Sequence, residues 1–101
     1  MLHVAICDDE AAFVQHLSQL LDRYAQETGT ELKISTFVDG ADLTDPYDPT
    51  IDLIFLDIQM GIMDGLRTAQ RIREMDGQVS IIFLTTLAQY SLEGYQDRKS
   101  V

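Results

Sequence analysis

The residues that could do chemistry stand at the ends of apolar runs. Asp8 and Asp9 sit in "ICDDE", Asp57 closes "IDLIFLD", and Thr85 follows "IIFL". A carboxylate in apolar surroundings is poorly solvated, and carboxylates brought together repel each other. If Asp8, Asp9 and Asp57 converge, a cation must hold them. Ligands that are all oxygen favour a hard ion such as Mg2+, which keeps several waters and takes one or two carboxylates. Such an ion would neutralise an incoming phosphoryl group. Asp57 would then serve as the carboxylate nucleophile, and the Thr85 hydroxyl could bond a phosphoryl oxygen.

Those residues can meet only if the elements that carry them line up. Leu2 to Cys7, Ile51 to Leu56 and Val79 to Leu84 are short apolar runs and read as buried strands. "ELKISTF" sets Leu32, Ile34 and Thr36 against Lys33 and Ser35, the alternation of a half-exposed edge strand. Phe13, Leu17, Leu20 and Tyr24 recur at helical spacing, widened by Val14, Leu21 and Ala25. Asp9 is the expected N-cap of that helix, Glu10 suits the positive end of its dipole, and Gly29 is its stop. "DGADLTDPYDP" reads as a loop with one helical turn. Asp64 is placed to cap a helix through Leu66, Ala69, Ile72 and Met75, closed by Gly77. "AQYSLEGY" is a last short helix candidate. Strands alternating with helices imply a doubly wound α/β fold, a parallel sheet covered on both faces. Sites in such sheets form beyond the carboxyl ends of the strands, at a topological switch point. Asp8, Asp9, Asp57, Thr85 and Thr86 all fall at strand ends.

Composition narrows the function. The 101 residues form one small domain, and 46 % hydrophobic content supports a folded core. With 17 acidic and 7 basic residues the formal charge is −10, which argues against direct nucleic-acid binding. Cys7 is the one cysteine, so no internal disulfide forms and a reducing compartment is expected. No apolar run approaches the length of a membrane span, and Met1 to Ile6 runs straight into "CDDE" without a signal peptide.

In this order and spacing, "ICDDE", "IFLDIQM", "MDG" and "IIFLTT" resemble the receiver domain of two-component response regulators. The segment "TTLAQYSLEGYQ" resembles more narrowly the receivers of LytTR-type regulators. The resemblance spans residues 1–96 and leaves 97–101 as a polar tail. It implies a flavodoxin-like fold with strand order 2-1-3-4-5 and five helices. It also implies that Asp57 is the phosphoacceptor, fed by a phosphohistidine on a sensor histidine kinase. By the same resemblance, Asp9 binds Mg2+ directly and Asp8 mainly through water. The backbone carbonyl of Gln59 would be a further ligand, and Thr85 the switch hydroxyl. The family is one of signalling phosphoacceptors, with at most Mg2+-dependent phosphorylation and dephosphorylation of itself, and many members regulate transcription.

The sequence departs from the family pattern in two places. The loop after the phosphoacceptor reads "DIQMGIMDG", with Gly61 and Ile62 where the family usually carries a proline and a glycine. Glycine is the freer residue, so a more mobile loop is expected there, with the chemistry kept. After "GYQ" the chain gives "DRKSV", where the family continues into a fifth strand, a lysine and a fifth helix. Lys99 lies too close to Thr85 to be that lysine. The strand Val79–Leu84 is then expected to be an exposed apolar edge, and self-association through it follows. Loss of the lysine should weaken phosphoryl binding.

Other functions fit the residues less well. A truncated receiver that acts only as an interaction or dimerisation module remains the alternative. A phosphatase of the haloacid-dehalogenase type needs a second Asp two residues after the nucleophile, and Gln59 stands there. A flavin carrier needs a phosphate loop rich in Ser, Thr and Gly, where this chain has "CDDEA". Asp39, Asp42, Asp45 and Asp48 do not match a calcium loop and read as a solvated segment. His3 and His16 lack partners at ligand spacing. Arg67, Arg71 and Arg73 read as the wet face of a helix, and packing is the expected role of Tyr90 and Tyr95.

Overall fold

The computed structural model describes residues 1–59 and 64–84. The elements are β1 (Leu2–Cys7), α1 (Ala11–Thr28), β2 (Leu32–Phe37), α2 (Gly40–Thr44), β3 (Leu53–Asp57), α3 (Gly65–Met75) and β4 (Ser80–Leu84). All pairings are parallel, in the order β2-β1-β3-β4. The expected doubly wound α/β architecture and its strand order are therefore present. The anticipated Thr85 and Thr86 strand end, the Gly61–Ile62 loop, the last short helix with Tyr90 and Tyr95, and the tail with Lys99 lie outside the described residues.

The register brings the strand ends to one level. Cys7 pairs with Phe37 on one side and Leu56 on the other, and Asp57 pairs with Leu84. The pleat splits β1 between the two faces of the sheet. Ala5 and Cys7 join Leu43, Ile51, Ile54, Leu56, Ile72 and Val79 in one buried cluster under α2 and α3. Val4 and Ile6 are also buried, on the alternate positions. The apolar runs thus form β1 and β3 because interior parallel strands must be apolar on both faces.

Local detail differs from expectation in several places. α1 starts one residue later than a cap at Asp9 would require. Glu10 occupies the N-cap without a side-chain capping bond, while the Asp8 carboxylate accepts the Glu10 N–H at 2.9 Å. Asp8 turns the chain into the helix, which leaves Asp9 exposed beside it. The stripe that α1 half-buries is Phe13, Val14, Leu17, Leu21 and Ala25; Leu20 and Tyr24 face out. The period runs along the i, i+4 row and not through every apolar residue. Gly29 does stop α1, in the left-handed region at φ 72°. Gly77 does not close α3. The helix ends at Met75, and Asp76 accepts the N–H groups of Gln78 and Val79, so the turn needs no left-handed residue. Asp64 caps α3 as expected, accepting from the Arg67 N–H at 2.8 Å. The loop after β2 holds the expected single helical turn, α2, capped by Asp39.

β2 is an edge strand, although Ser35 is half-buried and Thr36 exposed, opposite to the expected alternation. Ser35 is drawn in by His3, whose Nε2 lies 2.8 Å from its hydroxyl. β4 is the terminal strand among the described residues, and Ile82 and Phe83 are exposed on it.

Candidate functional site

The end of β1 delivers Asp8 and Asp9, and the end of β3 delivers Asp57. One oxygen from each carboxylate lies within 4.8 Å of the others. Among the described residues this is the one such group of His, Cys, Asp or Glu side chains. Asp8 is 8 % and Asp57 9 % exposed, and Asp9 opens to solvent. The sequence thus leads correctly to the convergence of these three acids. Thr85, the fourth residue expected there, is outside the described residues, and so is the loop at 60–63.

Local bonds fix the orientation of the acids. Asp57 Oδ1 accepts the Gln59 N–H at 3.2 Å. The Ile58 N–H donates to the Leu84 carbonyl at 3.1 Å, and the Ile58 carbonyl accepts from the Gly65 N–H at 2.8 Å. The carboxylate is therefore borne on a peptide held by β4 on one side and by α3 on the other.

The electrostatics are those of crowded, partly buried carboxylates. Burial pushes the Asp57 carboxyl above its ordinary value. The Gln59 N–H opposes this, and the charges of Asp9 and Glu10 add to it. Burial also pushes Asp8 up, against the Glu10 N–H and with help from Asp57, Asp9 and Glu10. Buried Cys7, beside the cluster, is pushed up to about 12 by burial first and by Asp39, Asp8, Asp57 and Asp42 next. It stays a protonated thiol and fills space as a small apolar residue. The donor set is entirely oxygen and includes an exposed carboxylate with room for water, so it fits a hard divalent ion that retains part of its hydration shell.

Other polar residues hold local structure or face solvent. Asp39 and Asp48 bond backbone N–H groups of their own turns, at Ala41 and Thr50. Arg67, Arg71 and Arg73 are exposed on α3. His3 is buried, between the hydroxyls of Ser35 and Thr50. No spacing in the sequence signals that arrangement, because its partners come from separate loops and strands.

A doubly wound parallel sheet in the order β2-β1-β3-β4, with acids gathered at its carboxyl end, defines a receiver-type α/β domain. The chain belongs to the response regulator receiver domain family, whose profile it matches over residues 4–96. It is 30% identical over 95 residues to the positive alginate biosynthesis regulatory protein of Pseudomonas aeruginosa, covering 94% of this chain and 38% of that one. It is 30% identical over 100 residues to the sensory transduction protein LytT of Bacillus subtilis, covering 95% and 39%. The chain thus spans about two fifths of the length of these curated relatives. Among solved structures it resembles CheY in the CheX-CheY-BeF3-Mg2+ complex of Borrelia burgdorferi. The TM-score is 0.68 and the identity 30%, over 90% of this chain and 66% of that one. It also resembles the response regulator TrrA of Thermotoga maritima in complex with Mg2+-BeF, with TM-score 0.64 and 31% identity, over 92% and 76%. The fold is further matched by the receiver domain of HemR from Leptospira biflexa, with TM-score 0.73 and 19% identity, over 95% and 75%. Among the described residues no helix is long and apolar enough to cross a membrane.

Proposed function

We propose that this receiver domain, residues 1–96, accepts a phosphoryl group on Asp57 from the phosphohistidine of a sensor kinase. The observation that carries the reading is the meeting of Asp8, Asp9 and Asp57 at the carboxyl end of the sheet. Asp9 and Asp57 would hold Mg2+ directly, with the Gln59 carbonyl, and Asp8 would hold it mainly through water. Bound there, Mg2+ supplies positive charge against the phosphoryl oxygens. An Asp57 carboxylate oxygen attacks phosphorus, a P–O bond forms, the P–N bond to the donor imidazole breaks, and the imidazole leaves with its electron pair and takes a proton. Asp57 suits this step because the Gln59 N–H fixes its orientation. Thr85 donates its hydroxyl to a phosphoryl oxygen and reports the change. Two similar proteins crystallised with Mg2+ and a beryllium fluoride support the reading, since that anion is a tetrahedral stand-in for a phosphoryl group.

The regulated output is transcription, a role named for the similar protein YpdB of Escherichia coli. With a charge of −10 this domain does not itself contact nucleic acid. Its site of action is the cytoplasm. The 101-residue chain also associates with a second copy through β4, whose Ile82 and Phe83 are exposed. A light-scattering mass that stays monomeric at all concentrations would refute that association.

Intact mass after incubation with Mg2+ and acetyl phosphate tests the main reading. The expected result is one phosphoryl adduct on the native chain and none on Asp57→Asn. A folded native chain without an adduct would leave the interaction-module alternative in place.

A further inference from the structure

We infer that Gly65 is a positioning residue for the Asp57 carboxylate, because its missing side chain lets the first turn of α3 sit directly on the Asp57–Ile58 peptide. The inference rests on the phosphoacceptor reading and concerns what fixes that acceptor in place.

Gly65 opens α3 at conventional helical geometry, so no left-handed conformation demands glycine there. Space demands it. A Cβ built at Gly65 would overlap the Asp57 carbonyl oxygen, and it would stand 2.6 Å from Ile58 Cα and 2.9 Å from the Asp57 carbonyl carbon. These are backbone atoms and cannot rotate away as a side-chain tip can. The Gly65 N–H meanwhile donates to the Ile58 carbonyl at 2.8 Å. On the far side, the Ile58 N–H is held by Leu84 at 3.1 Å. The peptide that carries Asp57 is thus clamped between β4 and α3, and the α3 jaw closes only on glycine.

Any larger residue at 65 must lift α3 or push the 57–58 backbone. The second movement displaces the Asp57 carboxylate relative to Asp8 and Asp9. Misplacing a ligand by about an ångström is enough to cost a site dearly.

Gly40 provides a matched control. A Cβ there would also overlap another residue, but the residue is Thr68, whose Cβ would lie 3.0 Å away. Gly40→Ala therefore strains the α2–α3 contact and adds no atom against Asp57 or Ile58.

The experiment is calorimetric titration of Mg2+ into the native chain, Gly65→Ala and Gly40→Ala, with urea unfolding of each. The expected result is about tenfold weaker Mg2+ binding by Gly65→Ala, and native binding by Gly40→Ala at comparable loss of stability. Native binding by Gly65→Ala would overturn the inference, and so would an equal loss in both variants. If Gly65→Ala does not fold, Asp64→Ala and Asp64→Asn replace it. Both remove a charge, but only alanine removes the acceptor that caps the Arg67 N–H and holds the first turn. Weaker binding by Asp64→Ala with recovery in Asp64→Asn supports the clamp; equal binding by the two overturns it. A native chain that binds no Mg2+ would sink the phosphoacceptor reading itself, and this inference with it.

Discussion

Replacing Asp57 by Asn should make the metal-free protein more stable. Asp57 shares a site with Asp8 and Asp9 in which carboxylate oxygens lie within 4.8 Å of one another. At that separation two unit charges repel by ~0.9 kcal/mol in bulk water and ~3.5 kcal/mol at an effective dielectric of about 20. Asp8 is buried, so its repulsion of Asp57 lies toward the upper figure, whereas Asp9 is exposed and screened. Asparagine keeps an oxygen to accept the Gln59 N–H, so the turn that orients residue 57 survives. Its amide nitrogen stands among the Asp8 and Asp9 carboxylates, which accept hydrogen bonds, while loss of hydration on burial offsets part of the gain. The net expectation is about 1–2 kcal/mol in favour of the variant, a rise in Tm of about 4–15 °C for a domain of this size. The assay is thermal and urea unfolding by circular dichroism in chelator, at matched protein concentration. Added Mg2+ should raise the Tm of the native chain by mass action and leave that of the variant nearly unchanged. A variant no more stable than the native chain in chelator would refute the claim that these acids are held together against their repulsion.

The same pair of acids sets a pH dependence. Burial raises both Asp8 and Asp57 in the folded chain, so the fold binds their protons more tightly than the unfolded chain does. Stability from these groups therefore rises as pH falls through their raised values, and it is complete below the ordinary value of 3.8. The advantage of Asp57→Asn should be largest at neutral pH and shrink on acidification, as unfolding midpoints across pH will show. Asp48 and Asp76 act in the opposite sense. Hydrogen bonds lower both, from Thr50 and from Gln78 first, so their contribution is lost as pH falls below 3.8 through their depressed values. Leu56→Ala removes a fully buried side chain from the main cluster and should cost about 2–5 kcal/mol in urea unfolding. Gly29→Ala places a side chain in the left-handed region at φ 72° and should cost about 1 kcal/mol. Gly77→Ala, with nothing within 4 Å of the added carbon and an ordinary φ, should be neutral or mildly stabilising in the same assay.

Much of the fold was legible because it depends on short-range pattern. Interior parallel strands need apolar residues on both faces, so "HVAIC" and "IDLIFLD" announce β1 and β3, and the alternation in "ELKISTF" announces an edge. Asp64 and Gly29 mark their helix ends because capping is a property of a few consecutive residues. The likeness to receivers rested on the same ordered runs. It pointed to Asp8, Asp9 and Asp57, which the parallel register then places together.

Other features were not legible, because they depend on which groups compete for one space. Either Asp8 or Asp9 could serve the start of α1, and it is the buried Asp8 that accepts the Glu10 N–H. Gly77 looked like a terminator until Asp76 satisfied the N–H groups that follow it. His3 offered no partner in sequence, yet residues from β2 and from the loop before β3 enclose it. Nothing in the sequence sets Gly65 apart, whereas in the fold backbone atoms of Asp57 and Ile58 press against it. The apolar and polar pattern carries the transfer free energy of each residue, and so dictates strands, helices, their order and the end of the sheet where acids gather. How closely one backbone approaches another, and which of two neighbouring acids turns inward, depends on close packing between segments far apart in the chain, and that emerges only when the whole domain is assembled.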